Sequence, residues 1–425
     1  MGDGNKDLVK TFIQVPRAAV DGYYNAPVIL DPTPYAAGTY EEAKSVKDAG
    51  YQSDGFELST LYREGNARST SSTVSTSEVA LKYTQVSDWS YNVDYNRAVN
   101  GYDFNSSYDY FLKRGFVIAN ASGIGTYGSE GFELCGLDLE RDAMACVVEW
   151  LAGNTNRKAY ARCDDGQGEE LRSIVADWSN GRVAMTGASY GGTLPYEVAT
   201  TGVEGLATII PYSGIASWYC YTNSQGVVLG NNPSYTDYLA MNNAGACIEV
   251  NGEAVDFRKD YQRAIAKVAE LEAKAMGNYT DIWESLDYAR EGVNSIKCSA
   301  LIVHGNNDFN VTMKQADLMK QAFDRSGNVA KMIIHQGAHE NLYGNKVNGE
   351  AWEQLMNRWL CHYLLNVDNN VENDIPDVLY QDSTDGSWHA QSYWRNNDNT
   401  FNYREFAYAS SIKDKCVISD AFGQY

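Results

Sequence analysis

The sequence predicts an α/β fold in which helices cover both faces of a mainly parallel sheet. Short apolar segments rich in β-branched residues alternate along the chain with longer segments whose apolar residues recur at helical spacing. Such alternation is typical of parallel sheets with helical crossovers. The 425 residues, 44% of them hydrophobic, are enough to bury a sizeable core in one large domain with insertions.

The predicted elements follow one another in a regular order. Two early strands lie at VKTFIQVPR and APVILDPTPY, and the second is closed by proline. The polar residues 52–105, rich in Ser, Thr and Tyr, predict a surface excursion and not a core element. A short helix running into a strand is predicted at SSYDYFLKRGFVIANAS, and an amphipathic helix at LERDAMACVVEWLAGN. Four further strands and a closing helix are predicted at GRVAMTG, LATIIPYSG, SALIVHGNND, AKMIIHQGAHE and EAWEQLMNRWLCHYLLN.

A long insertion separates the strands near residues 210 and 300, and its second half is strongly helical. An insertion at that point would lie above the ends of the strands, where a lid over an active site belongs. We therefore predict a core made of residues 8–215 and 298–368, with the excursion at 52–105 and a helical lid at 216–297.

Charge and cysteine content limit the classes of partner. The formal net charge is −21, with 55 acidic and 34 basic residues, so we expect no nucleic acid and no anionic membrane surface as partner. No run of 18 apolar residues could span a membrane, and the N-terminus lacks the apolar region of a signal peptide. Eight dispersed cysteines without zinc spacing indicate mostly free thiols and a reducing compartment, although an even count leaves disulfides open. We expect a cytoplasmic location; a secreted or cell-surface form stays open if the chain is a fragment.

The pentapeptide Gly187-Ala188-Ser189-Tyr190-Gly191 has the form G-x-S-x-G and lies between a predicted strand and a predicted helix. This context is the one that the nucleophile elbow of an α/β-hydrolase fold requires. The tight turn would raise the Ser189 hydroxyl above the sheet, and the N–H of Tyr190 could then face a developing oxyanion. The pentapeptide alone also occurs as a plain turn, so the prediction depends on the flanking strand and helix.

A nucleophilic serine needs a base and an orienting acid, which follow it in the order Asp or Glu, then His, in this fold. Among the five histidines, His339 lies in a loop just after a predicted strand. Asp308 likewise follows a strand in VHGNNDFNV, although an ordinary turn aspartate is the alternative there. We predict Ser189, Asp308 and His339 as a catalytic triad.

The chain resembles the catalytic core of the bacterial X-prolyl dipeptidyl aminopeptidases, within the wider group that includes cocaine-esterase-like acylases. The most specific matching stretches are MTGASYGGT, TTGVEGL and SWYCY, and the matches cover most of residues 8 to 345. The resemblance implies an α/β-hydrolase fold with a helical lid insertion and a C-terminal β jelly-roll. Residues 369–425 would then form only the start of that β-domain, or a tail.

The resemblance also implies site residues. Tyr35 matches the tyrosine whose hydroxyl is the second oxyanion donor, besides the N–H of Tyr190. Trp218 and Tyr219 fall where the family builds an aromatic slot for proline, and flat aromatic faces suit a pyrrolidine ring. Asp237 is the candidate carboxylate for the free amine of the substrate. The alternative for Tyr35, Trp218 and Tyr219 is ordinary packing.

These observations together predict a serine exopeptidase that releases N-terminal Xaa-Pro dipeptides through an acyl-enzyme. Its partners would be peptide substrates with proline in second position, with no metal or organic cofactor; a homodimer stays open. An esterase or acylase of the cocaine-esterase type is the alternative within the class, and a non-catalytic binding module on the same fold is the alternative outside it.

Overall fold

The computed structural model describes residues 8–34, 106–112, 114–124, 129, 135–164, 169–224, 226–228, 248–250, 253–255, 270–271 and 277–394. The strands in these ranges are, from β1 to β17, Thr11–Gln14, Ala26–Thr33, Val117–Ser122, Ala159–Asp164, Glu169–Ile174, Ser179–Ala188, Leu206–Tyr212, Asn223–Ser224, Val227–Val228, Ile248–Val250, Glu253–Val255, Ser299–Gly305, Ala330–His335, Lys346–Val347, Glu350–Ala351, Val378–Gln381 and Trp388–Gln391. The helices, from α1 to α9, are Arg17–Val20, Ser106–Leu112, Asp138–Leu151, Tyr190–Thr201, Trp218–Thr222, Asp281–Glu284, Met313–Ser326, Trp352–Leu365 and Val371–Asp374. One 3₁₀ turn spans Val293–Ser295.

The main sheet has the strand order β1-β3-β2-β6-β7-β12-β13-β16-β17 within the described part of the chain. From β3 to β16 every neighbouring pair is parallel. Only the two edge strands, β1 and β17, run antiparallel to their neighbours. The predicted mainly parallel sheet is therefore confirmed.

Helices cover both faces of this sheet, because successive residues of a strand point to opposite sides. In β2, Val28 and Leu30 pack on the face covered by α3, α4 and α7, while Ile29 packs on the face covered by α2 and α8. Phe323 of α7 and Trp359 of α8, both fully buried, are large side chains on the two faces. The sheet therefore lies between two apolar layers. Since both of its faces are covered, a functional site is expected at the ends of its strands.

The order of the strands defines one crevice. From β2 the chain crosses to β3 on one side, whereas β6 lies on the other side of β2 and leads on to β7. In an open α/β sheet, ligands bind outside the carboxyl ends of the strands at such a reversal. The carboxyl ends of β2 and β6, at Thr33 and Ala188, border this crevice.

The C-terminal part of the described chain differs from the expected start of a jelly-roll. Strand β16 pairs in parallel with β13, and β17 pairs with β16. An apolar strand beside an open sheet edge satisfies its backbone by extending that sheet. The boundary expected at residue 369 therefore does not separate these two strands from the core.

Two other predicted segments lie wholly or partly outside the described residues. The surface excursion predicted at 52–105 lies outside the described residues, as does half of the lid predicted at 216–297. Within the described ranges, no helix has the length and apolar character to cross a membrane. Among the described cysteines, Cys220, Cys298 and Cys361 form no disulfide.

Candidate active site

Ser189 occupies a strained turn between β6 and α4. Its backbone has φ 59° and ψ −126°, a combination that a residue with a side chain rarely adopts. The Ser189 N–H donates to the carbonyl oxygen of Tyr212 in the next strand, over 2.9 Å. Such strain persists only where the surroundings hold it, and it is concentrated at functional sites.

The glycines around Ser189 are required by close backbone contacts. A Cβ on Gly187 would lie 2.4 Å from the carbonyl oxygen of Gly191. A Cβ on Gly192 would lie 2.5 Å from the carbonyl oxygen of Tyr212. Since real Cβ atoms do not approach backbone atoms so closely, only glycine lets the strand and the helix meet at this angle.

Asp308 and His339 form a hydrogen-bonded pair at the same edge of the sheet. The Nδ1 atom of His339 lies 2.6 Å from Oδ2 of Asp308, whose side chain has no exposed surface. The other carboxylate oxygen accepts the backbone N–H groups of Asn310 and Val311 at 3.0 and 2.9 Å. A proton held on Nδ1 by the carboxylate leaves Nε2 of His339 as the basic nitrogen.

Two further histidines lie behind this pair. The fully buried His304 has its Nε2 atom 2.6 Å from the carbonyl oxygen of Val311, so it ties the end of β12 to the far side of the Asp308 loop. The Nδ1 atom of His335 accepts the N–H of Gly337 at 3.1 Å. Burial lowers the pKa of both imidazoles, so both are neutral at ordinary pH.

Tyr190 is the first residue of the nucleophile helix, and its side chain points into the core. Its hydroxyl donates to Oε2 of Glu140 over 2.6 Å and accepts the N–H of Gly136 over 2.9 Å. Its ring meets the indole of Trp218 edge to face, with 5.1 Å between the ring centroids. The backbone N–H of Tyr190 belongs to the first turn of α4, where backbone donors and the helix dipole favour an anion.

Comparison with known proteins agrees with this geometry. Residues 3–341 match the family model described as X-Pro dipeptidyl-peptidase (S15 family). The chain belongs to the X-Pro dipeptidyl-peptidase (S15) family. It is 33% identical over 401 residues to an Xaa-Pro dipeptidyl-peptidase of Lacticaseibacillus rhamnosus, which covers 93% of this chain and 47% of the relative. It is 32% identical over 399 residues to a putative Xaa-Pro dipeptidyl-peptidase of Bacillus anthracis, covering 92% and 55%.

The chain thus spans about half the length of the curated S15 relatives it matches. Among solved structures, an α-amino acid ester hydrolase is similar with a TM-score of 0.54 and 17% identity, over 93% of this chain and 57% of that one. A CocE/NonD family hydrolase from Staphylococcus aureus is similar with a TM-score of 0.51 and 14% identity, over 93% and 55%. At these identities the likeness establishes the fold, and it confirms the predicted α/β-hydrolase class.

The residues implied by the family resemblance have different outcomes. Trp218 is fully buried, and its indole N–H donates to the hydroxyl of Tyr288 over 2.9 Å. This burial is consistent with the alternative of core packing, and a role of Trp218 in a proline slot stays a prediction. Tyr219 is half-buried, and its hydroxyl donates to the carbonyl oxygen of Gly277 over 2.8 Å. Tyr35 and Asp237 lie outside the described residues.

Sequence reasoning missed three carboxyl groups near the nucleophile turn. Glu140 and Glu197 are buried in the helical layer, and burial raises the pKa of Glu140 to about 7. Asp31, in β2, accepts the Tyr108 hydroxyl over 2.7 Å, and burial of its carboxyl raises its pKa to about 7. The available signal was an acidic residue on the apolar side of a predicted helix or inside a predicted strand.

Proposed function

We propose that this S15-family chain is a serine exopeptidase that releases N-terminal Xaa-Pro dipeptides from peptides through an acyl-enzyme. The observation that carries the proposal is the 2.6 Å hydrogen bond between His339 and the buried Asp308. It lies at the sheet edge where β6, β12 and β13 end, and Ser189 follows β6 in a strained turn. In such a fold, a serine, a histidine and an aspartate at this edge are the components of acyl transfer.

In the acylation step, His339 Nε2 accepts the Ser189 hydroxyl proton as Oγ attacks the carbonyl carbon of the prolyl residue. Asp308 keeps the proton on Nδ1 and stabilises the imidazolium that forms. The oxyanion accepts hydrogen bonds from the Tyr190 N–H and, in our proposal, from the Tyr35 hydroxyl. When the C–N bond breaks, His339 returns its proton to the leaving amine.

In the deacylation step, a water molecule replaces the departed peptide. His339 removes a proton from this water while the water oxygen attacks the ester carbonyl. The Tyr190 N–H and the Tyr35 hydroxyl donate to the second oxyanion as they do to the first. The ester C–O bond then breaks, the proton passes to Ser189 Oγ, and the Xaa-Pro dipeptide leaves as an acid. The cycle balances without an added oxidant, reductant or group donor.

The proposal for substrate recognition uses Tyr219 and Asp237. The half-buried ring of Tyr219 would contact the pyrrolidine ring, and Asp237 would pair with the ammonium of the first residue. An exopeptidase needs such a carboxylate, because a partly desolvated ammonium without a partner costs several kcal/mol.

The test is a comparison of substrates with one preparation of the chain. We expect hydrolysis of Ala-Pro and Gly-Pro p-nitroanilides, little hydrolysis of the N-acetylated Ala-Pro compound, and none by Ser189→Ala. A preference for the N-acetylated compound or for p-nitrophenyl esters would replace the peptidase proposal by the acylase alternative. Absence of turnover and of fluorophosphonate labelling would favour the binding module.

A further inference from the structure

A group of buried polar side chains lies directly beneath the nucleophile helix. Glu140 of α3 is its centre, with 1% of its surface exposed. Its Oε2 atom accepts two hydrogen bonds, from the Tyr190 hydroxyl at 2.6 Å and from the Gly136 N–H at 3.0 Å. Since Tyr190 follows Ser189 directly, one carboxyl oxygen of another helix holds the residue next to the nucleophile.

The same group includes residues near the two ends of the predicted lid insertion, Trp218 near its start and Tyr288 near its end. The Tyr288 hydroxyl donates to the carbonyl oxygen of Gly136 over 2.7 Å and accepts the indole N–H of Trp218 over 2.9 Å. Gly136 cannot carry a side chain here, because a Cβ would lie 2.4 Å from Nε1 of Trp218 and 2.6 Å from the Tyr288 hydroxyl. The backbone of Gly136 thus joins Glu140 and Tyr190 on one side to Trp218 and Tyr288 on the other.

A second acid, Glu197, lies on the same helix as Tyr190, seven residues later and therefore on the same helical face. It is fully buried, and burial together with Glu140 raises its pKa well above the ordinary value. The nearby Arg141 is engaged by Asp138 and Asp142 at the surface. Burying two acids side by side is costly. Ordinary packing would be served better by apolar residues, so the arrangement calls for a role.

We propose that Glu140 is a positioning residue for the oxyanion site: its carboxyl oxygen holds the Tyr190 side chain and thereby the direction of the Tyr190 backbone N–H. The inference rests on the proposed function for the role of that N–H. Oxyanion stabilisation depends on donor placement, and a misplacement of about 1 Å can cost about 100-fold in rate.

The test uses four single variants of the full chain and the Glu140→Ala/Tyr190→Phe double variant. Glu140→Ala removes the acceptor, and Tyr190→Phe removes only the hydroxyl while keeping the ring against Trp218. Glu140→Gln keeps an oxygen acceptor and serves as the rescue. Glu149→Ala is the matched control, because Glu149 lies on the same helix but pairs with Arg157 at the surface. The readouts are the rate of fluorophosphonate labelling of Ser189, and kcat and KM for Ala-Pro p-nitroanilide.

We expect Glu140→Ala and Tyr190→Phe each to lower the labelling rate and kcat by about 10- to 100-fold, with KM changed less than about threefold. The double variant should lose little more than either single variant, because both break the same hydrogen bond. Glu140→Gln should retain at least about a third of the rate, and Glu149→Ala all of it.

Three results would overturn the inference: unchanged labelling in both single variants, additive losses in the double variant, or a loss in Glu140→Gln as large as in Glu140→Ala. A fall in melting temperature without a fall in labelling would show that Glu140 acts in stability alone, which also overturns it. Tyr190→Phe keeps the test decisive if Glu140→Ala does not fold.

Labelling needs no dipeptide substrate, so labelled wild type without Ala-Pro hydrolysis refutes the proposed function alone. Wild type that is not labelled at Ser189 refutes both.

Discussion

Asp308 uses both of its carboxylate oxygens. One faces Nδ1 of His339 at 2.6 Å, and the other accepts the backbone N–H groups of Asn310 and Val311. The hydrogen bonds from the backbone hold the carboxylate in one orientation, so that its Oδ2 atom points at the imidazole of His339. At the scale of single residues, the site therefore depends on a fixed acid that selects the tautomer of His339.

Asp308→Asn should lower kcat by about 10⁴-fold, because an amide can stabilise the wrong tautomer of His339 and cannot offset the imidazolium charge. The melting temperature should change little, since an Asn oxygen can still accept the two backbone N–H groups. Steady-state kinetics with Ala-Pro p-nitroanilide measures the loss. The exposed Asp281→Asn is the control. A loss below about tenfold would show that Asp308 is an ordinary turn aspartate.

Ser189→Ala should abolish both labelling by a fluorophosphonate probe and hydrolysis, with a fall of about 10⁴ or more in kcat. The probe reacts with an activated serine and not with ordinary hydroxyls, so wild type should carry a single label. Mass spectrometry of the labelled peptide locates it. A label that survives the substitution would assign the nucleophile to another residue.

Among single residues, those with a motif could be predicted and those without one could not. Ser189 was recognisable because the chemistry needs glycines on both sides and a strand before it, and all of these are local in sequence. Glu140 is 50 residues from Tyr190 along the chain, and its contact exists only after α3 packs on α4. Nothing local separates such an acid from one on the exposed face of a helix.

At the scale of elements, the turn from β6 into α4 is held by contacts between backbones. Gly187 and Gly192 allow the strand end, the helix and β7 to approach more closely than a side chain would permit. The last two strands of the sheet, β16 and β17, are the opposite case. The family resemblance led us to expect the start of a separate β-domain, or a tail, after residue 369, whereas both strands extend the main sheet from the edge of β13.

Gly187→Ala should disrupt the elbow, because its Cβ would meet the carbonyl group of Gly191 at 2.4 and 2.7 Å. Neither backbone can move without shifting β6 or α4, so we expect a loss of roughly 3 kcal/mol or more in the free energy of unfolding, together with loss of labelling. Gly327→Ala is the control, since its φ of +77° is strained for alanine but no atom lies within 4 Å. It should cost about 1 kcal/mol and keep full activity. Equal effects at the two positions in urea unfolding would contradict this account.

At the scale of the whole molecule, the core contains carboxyl groups whose pKa is raised by burial. Asp31 faces one apolar layer beside Tyr108, and Glu140 and Glu197 face the other, so the nucleophile turn has acids on both sides. Burial raises the pKa of Asp31 and of Glu140 to about 7. The formal net charge of −21 counts these carboxyl groups as ionised, so each one that stays protonated lowers the self-repulsion of the folded chain.

Asp31 offers the clearest test, because its carboxyl accepts a hydrogen bond from the Tyr108 hydroxyl that asparagine can also accept. Its pKa is 3.8 in the unfolded chain and about 7 in the folded protein, so between these values the folded state binds the extra proton. Its contribution to stability is therefore full below pH about 4 and is lost as the pH rises to about 7, by up to about 1.4 kcal/mol per pKa unit.

The side chain at position 31 cannot ionise in the Asp31→Asn variant. The free energy of unfolding of the variant, relative to that of wild type, should therefore increase as the pH rises from 4.5 to 8. Urea unfolding at pH 4.5, 6 and 8 measures the difference in the free energy of unfolding between the two proteins. The other titrating groups are the same in both proteins, so their contributions cancel in this difference. Replacement of an exposed acid, as in Glu291→Gln, should leave the difference nearly constant with pH. If the curves of Asp31→Asn and wild type run parallel, Asp31 is ionised at neutral pH in the folded protein, and water or another group stabilises its charge beside the nucleophile turn.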